Sequence, residues 1–346
     1  MRQLAKWAGV SPATVSLALR GDRSIPAKTQ QRIERLAAAK GYRSDPVVAN
    51  LMARLRKTRS VRGCEKIAFL TSWPNPDTKR EAIVKDPNYM SWRSGICDRA
   101  NALGYEIDEF WTKEPGLTAA RLTKILYSRG IRGLILAPLH RPIGHLSLDW
   151  QYFAVATVTY TVTKPEVHRV THCHYSGMQL ALRQLKRRGY KRPGFATMLD
   201  QNERVRHSWE AGYLVHNQAL RPKDRIPPLL TPRLTIKEFK AWFEKYKPDV
   251  VVSNIVLPLK MLLELGYDIP KEVSFASLDR TANDPEEAKF NSVAGINQLP
   301  FHQGAAVADL VIKLVQNNEF GLPRHPVTLH MDGVWEDGPT ARSLVG

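Results

Sequence analysis

Apolar positions at the start of the chain repeat at three- and four-residue spacing: Met1, Leu4, Ala5 and Ala8. That is the buried stripe of a short helix, which Gly9 ends. Val10 reads as a buried spacer. Ser11 is a good N-cap, and Pro12 suits the first position of a second helix. This second helix is predicted from Ala13 to about Leu19, stopping at Arg20-Gly21. Val15 and Leu19 point inward, whereas Ala13, Thr14, Ser16 and Leu17 point elsewhere. A third helix from about Pro26 buries Ile33, Leu36 and Ala37 before Gly41. Asp45 and Pro46 then open a further helix, with Val47, Val48, Leu51 and Leu55 on one side. It is too short to be stable alone in water.

From Lys66 the period changes. KIAFLTS reads as a buried strand, followed by a helix from about Ser91 to Leu103, closed by Gly104. YEIDEFW (strand), LTAARLTKILYSRG (helix) and GLILAPL (strand) continue the alternation. It resumes with FAVATVTY, SGMQLALRQLKRRGY, RPGFATM, LTIKEFKAWFEKYK, PDVVVSN and VSFASLD. Such βαβ alternation predicts parallel, doubly wound sheets with helices on both faces. Two fresh sets of units imply two similar lobes. Open parallel sheets bind ligands beyond the carboxyl ends of their strands, so a ligand is expected in the cleft between the lobes.

At the front, two short helices joined by a tight glycine turn and braced by a third predict a helix-turn-helix. The outward face of the second helix is small and polar, with Arg20 and Arg23 just beyond it. That suits a helix seated in a major groove, with phosphate-binding donors nearby. Charge supports the reading. The chain has 346 residues and a net charge of +18, and residues 1–62 hold 14 Lys/Arg against Asp22, Glu34 and Asp45. A basic face concentrated on a small head favours a polyanion and makes binding salt-dependent. Arg54, Arg56, Lys57, Arg59 and Arg62 extend the basic run beyond the short helix.

No apolar run is long enough to span a membrane, and an amphipathic N-terminus takes the place of a signal peptide. Cys64, Cys97 and Cys173 are scattered and odd in number, as for free thiols of a cytosolic protein. His168, His172, Cys173 and His174 cluster in sequence, but no second Cys/His group accompanies them, so they read as loop residues and no metal is expected. No Gly-rich phosphate loop, G-x-S-x-G or paired-carboxylate signature is present, which argues against an enzyme. The first helix opens at Met1 without a capping residue, which predicts a further stretch upstream.

The segment AKWAGVSPATVSLALRG, followed by IPAKTQQRIERLAAAKGYR, resembles the DNA-binding head of the LacI/GalR (lac-repressor) family of bacterial regulators. The later two-lobed pattern resembles that family's periplasmic-binding-protein-like effector domain. The resemblance implies a transcriptional regulator, most simply a repressor, that works as a cytoplasmic, nucleoid-associated homodimer. Its partners would be pseudo-palindromic operator DNA and a small effector of carbohydrate type, with no cofactor. It implies a head over 1–45, a hinge helix and basic linker over 46–65, and an effector and dimerisation domain over 66–346. Lobe 1 would comprise about 66–162 and 296–324, and lobe 2 about 163–295 and 325–346.

Carried over position by position, the resemblance gives DNA contacts to Ser11, Pro12, Ala13, Thr14, Ser16, Leu17, Arg20 and Arg23. In the hinge helix it gives Val48 a minor-groove contact and makes Leu51 an apolar wedge, a device that kinks DNA. It gives effector contacts to Ser72, Trp73, Arg204, Asn254 and Asp279, with Arg206 the alternative to Arg204. This sequence departs from the family pattern at Ile255, Trp209 and Cys173, which leaves the effector unassigned. Two other classes remain at this point: a sugar-active enzyme, and a solute-binding module with an unrelated basic arm.

Overall fold

The structure, a computed structural model, describes residues 2–18, 25–40, 64–72, 86–139, 144–280 and 293–344. Arg20, Arg23, Val48, Leu51 and Trp73 lie outside them, as do Leu19 and most of the linker.

Three helices make the head: α1 (Arg2–Ala8), α2 (Pro12–Ala18) and α3 (Ala27–Ala39). Ser11 caps α2, its hydroxyl accepting the Thr14 backbone N–H at 3.1 Å. Leu4, Ala5 and Ala8 of α1 meet Val15 and Ala18 of α2 over Ile33 and Ala37 of α3. The Arg32 guanidinium donates to the Ala8 carbonyl at 2.9 Å, tying the end of α1 to α3. This small core leaves Ser11 exposed and Thr14 and Leu17 half-buried on the other side of α2.

Behind the head stand two sheets. The first is wholly parallel. It contains β1 (Glu65–Thr71), β2 (Tyr105–Trp111), β3 (Gly133–Leu136), β5 (Ala154–Val158), β7 (His168–His172) and β13 (Thr328–Met331). Their order is β13-β7-β5-β3-β1-β2. A small two-stranded sheet of β4 (Gly144–His145) and β6 (Val162–Lys164) lies beside it. The second large sheet contains β8 (Pro193–Met198), β9 (Leu229–Thr231), β10 (Val250–Ser253), β11 (Ser274–Ser277), β12 (Ala294–Asn297) and β14 (Val334–Glu336). Its order is β14-β12-β11-β10-β8-β9, parallel except for the edge strand β14. Central strands such as β3, β5 and β10 are buried at every residue, as expected of strands covered on both faces.

Helices cover these sheets. In lobe 1, α4 (Pro87–Ala102), α5 (Ala119–Ser128) and α11 (Pro300–Asn317) bury Tyr89, Ile96, Leu126 and Val311. In lobe 2, α6 (His174–Arg187), α7 (Leu199–Arg204), α8 (Ser208–Gln218), α9 (Ile236–Tyr246) and α10 (Leu257–Glu264) bury Leu182, Tyr213, Phe239 and Leu259.

The chain crosses between lobes at 172–174, 297–300 and 331–334. The crossings expected near 162, 295 and 324 are therefore displaced. β7 and β13 pair with each other in the first sheet, although the pattern assigned both to lobe 2. Their burial alternates too little to say which sheet they join. The helix expected from Ser91 begins four residues earlier, at Pro87, because the Asp86 carboxylate accepts the Tyr89 N–H at 2.8 Å.

Candidate ligand cleft and helix-turn-helix head

The carboxyl ends of both parallel sheets face one cavity of about 270 Å³. Pro138 follows β3, Thr159, Tyr160 and Thr161 follow β5, and His174 follows β7. From lobe 2 come Gln201 and Arg204 on α7, Asn254 after β10, Asp279 after β11 and Gln298 after β12. The start of α4 adds Asp86, Asn88 and Trp92, and the turn into α8 adds Val205 and Trp209. This is where open α/β sheets place ligands.

Arg204, Asn254 and Asp279, singled out from the sequence, all line this cavity. Burial pulls the Arg204 guanidinium below its ordinary value, and the carboxylates of Asp279, Asp200 and Asp86 oppose that. Arg206 is outside the lining. Arg206 and His207 take left-handed backbone, with φ of 54° and 57°. This tight turn leaves Arg206 exposed, over the Tyr160 ring at 4.9 Å and 3.8 Å from Glu166. Ser72 is outside the lining too; its carbonyl accepts the Trp111 indole N–H at 3.4 Å.

Asn254 is positioned by the Thr197 hydroxyl, which donates to its Oδ1 at 2.5 Å. Asp279 receives the Asn88 amide from across the cleft, at 3.4 and 3.5 Å to its two oxygens. One lobe thus touches the other through a pair of hydrogen-bonding groups at the limit of bonding distance. Thr159 is a β-branched residue with φ of 65°, a strained backbone of the kind that clusters at ligand sites. It is held by its N–H to the Val170 carbonyl at 3.0 Å and by Arg169 Nη1 to its own carbonyl at 3.1 Å.

Sequence reasoning missed the aromatic walls. Trp92, Tyr160 and Trp209 enclose the polar set. His174 was read as a loop residue, yet it opens α6, is buried, and packs edge-on against Trp209 at 5.0 Å. Its burial, with His172 and His330 near it, holds the imidazole well below its ordinary value, so it is neutral. Asp86 carried a visible signal, an acidic residue before Pro87, that marks a helix start.

In the head, α2 presents Thr14 and Leu17 away from the core formed by Val15 and Ala18. Residues 1–45 match the family model for bacterial regulatory proteins of the lacI family. Behind the head, the two lobes share the fold of solved structures. A transcriptional regulator CelR–cellobiose complex has a TM-score of 0.56 at 17% identity, over 98% of this chain and 98% of that one. The lac repressor dimer bound to operator and the anti-inducer ONPF gives 0.55 at 16% identity, over 98% of each. A periplasmic binding protein/LacI transcriptional regulator from Alkaliphilus metalliredigens QYMF, complexed with D-xylulofuranose, gives 0.56 at 16% identity, over 81% of this chain and 100% of that one. No curated protein matches the chain in sequence.

Proposed function

We propose that this chain is a ligand-responsive DNA-binding transcription regulator, most simply a repressor, whose effector is a sugar held between the lobes. The observation that carries the reading is the joining, in one chain, of a lacI-family head to a cleft into which polar side chains converge from both lobes. The regulators complexed with cellobiose and with D-xylulofuranose support the sugar class. Carboxylate, amide and guanidinium groups beside aromatic faces suit a polyol, which offers both donors and acceptors along an apolar ring.

The proposed mechanism begins at the head. α2 enters the major groove with Ser11, Pro12, Ala13, Thr14, Ser16 and Leu17 toward the bases, and Arg20 and Arg23 supply phosphate contacts. Val48 and Leu51 act in the minor groove of a kinked operator. In the cleft, Arg204 donates to ligand oxygens, Asp279 accepts hydroxyls, and Asn254 does both; Ser72 and Trp73, which follow β1 in sequence, are the further effector contacts proposed. Ligand hydroxyls bridging Asn88 and Asp279 replace a stretched cross-lobe contact with shorter ones and bias the lobes toward one closure. β1 starts at Glu65, directly after the linker, so a change in lobe 1's setting passes to the hinge segments. Two chains pair through their effector domains, placing two heads on the halves of a pseudo-palindrome. The place of work is the cytoplasm, at the nucleoid. The ligand is bound and released unchanged, and no cofactor takes part.

The test is selection of genomic fragments by the full-length chain, followed by footprinting. A two-fold symmetric site is the expected result. Absence of any enriched site at low salt would overturn DNA recognition by this head.

A further inference from the structure

Lobe 2 turns another face to solvent, outside the cleft. α6 and α8 lie side by side on one side of its sheet, and α9 and α10 cover the other. We propose that the outer surface of α6 and α8 docks a partner protein, which seats an acidic amphipathic helix on it.

Packing brings the two helices together. The Gln179 amide donates to the Gly212 carbonyl at 2.6 Å, and a Cβ on Gly212 would meet Met178 at 3.0 Å. Farther along, burial and then the Lys186 ammonium pull the His216 imidazole below its ordinary value, so these helix ends are neighbours too. The outer surface of the pair is apolar where a surface helix is ordinarily polar. Tyr175 on α6 and Leu214 and Val215 on α8 are 40, 38 and 52% exposed. Tyr175, Gln179 and Arg183 recur every four residues and form one ridge. Beside the ridge a cavity of about 410 Å³ opens between α6 and Asp332-Gly333, with Leu180 in its wall. It offers an apolar side chain from outside a place to anchor.

Charge selects the occupant. α6 has no acidic residue, and Arg183, Lys186 and Arg187 are exposed and make no ion pair among the described residues. The nearby carboxylates are engaged or stand apart. Glu210 of α8 accepts from Asn202 at 2.8 Å and lies 3.2 Å from His207. Asp337 pairs with Arg188 and accepts from the Trp335 indole. Asp332 stands at the Gly177 end of the cavity, where it acts on His172, and Arg183 is ~9 Å farther along the helix. Three such cations beside an apolar ridge complement a helix whose carboxylates flank an apolar stripe. A second copy of this chain set face to face would bring like cations together, so the partner is a different protein. Duplex DNA would leave the apolar side chains unmatched, and the head that binds it joins the other lobe, through β1. α6 starts at the first lobe crossing, and Asp332-Gly333 belong to the third. A helix resting on both therefore touches two of the three crossings.

The experiment is selection from a display library of random peptides on the full-length protein, each peptide about 14 residues long to match α6. Excess random-sequence duplex occupies the basic head throughout. Enriched peptides are then titrated by fluorescence anisotropy. The expected result is a set of acidic peptides with apolar residues at three- and four-residue spacing. Arg183→Glu with Lys186→Glu should weaken the best of them about 10-fold or more, and Val215→Asp severalfold. These side chains are exposed, so both variants should melt as the parent does. Lys237→Glu with Lys240→Glu makes the same charge change on α9, across the lobe. It should bind within about twofold of the parent, since distant charges are screened. An absence of enriched peptides would overturn the proposal, and is the outcome if the duplex fills this face. Enrichment of uncharged or basic peptides, or of acidic ones without the apolar spacing, would overturn it too. So would unchanged binding in the α6 variant, or an equal loss in the α9 variant, which would reduce the effect to net charge. Peptide binding is read apart from operator recognition, so failure here leaves the regulator reading standing.

Discussion

His172 closes β7 with its ring buried between two glycines. A Cβ on Gly177 would sit 2.3 Å from its Nε2, and one on Gly333 would sit 2.9 Å from its Cε1. The Met331 carbonyl lies 3.1 Å from Nδ1 and only accepts, so Nδ1 carries the proton and Nε2 is bare. Protonating Nε2 would place a charge where no acceptor waits. Burial accordingly pushes this imidazole down to about 4, against smaller upward pulls from the Met331 carbonyl and Asp332. In the unfolded chain the value returns to about 6.5. Between those values the unfolded state binds the extra proton, so stability is full above about 6.5 and falls as pH drops toward 4. The loss from this one group approaches ~3 kcal/mol. Melting temperature should therefore decline between pH 7 and pH 5, and His172→Gln should flatten the decline. An equally steep decline in the variant would place the acid sensitivity elsewhere. His172 was visible in the sequence only as part of a histidine cluster. Its role depends on Gly177 and Met331, which are brought to it by α6 and β13, and no local pattern reports such long-range packing.

Element scale separates what the pattern could reach from what it could not. The head was legible because Ser11, Pro12 and the Leu4–Val15–Ile33 periodicity are local signals, and α2 forms where they place it. Arg204, Asn254 and Asp279 were legible because each follows the end of a strand or precedes a turn that the alternation already located. Asn88 and Trp92 were not, since the start of α4 was expected four residues later, and the Asp86-Pro87 cap signal went unread. On α2, Pro12, Ala13 and Leu17 carry no hydrogen-bonding side chain, so the base reading proposed for them is by apolar contact, as with thymine methyl groups. Leu17→Arg should change the preferred half-site while altering general DNA affinity less than severalfold. A selected motif identical to the parent's would refute apolar reading by this face.

At the scale of the whole molecule, three chain crossings tie the lobes, and β14 joins the second sheet straight after β13 has left the first. Two of the three crossings pass near a cavity residue: His174 at the first, Gln298 at the second. The layout of two lobes followed from the βαβ repeat, but the crossings did not, because β7 joins the first sheet through β5 and carries the distant β13 on its other edge. We expect a dimer in solution, joined by the effector domains near Arg93–Ala100; a monomer at micromolar concentration by light scattering would exclude it. On the proposed mechanism, the setting of the two lobe-1 sheets in that dimer governs the spacing of the heads, which would couple cleft occupancy to DNA affinity, typically by about 1–3 kcal/mol. The most direct measurement is operator affinity at fixed salt, with and without a sugar that stabilises the protein. The account predicts a change in Kd of about 5- to 150-fold in the parent. It predicts no sugar-dependent change in Asp279→Ala. An operator Kd that stays the same when the parent's cleft is saturated would contradict it.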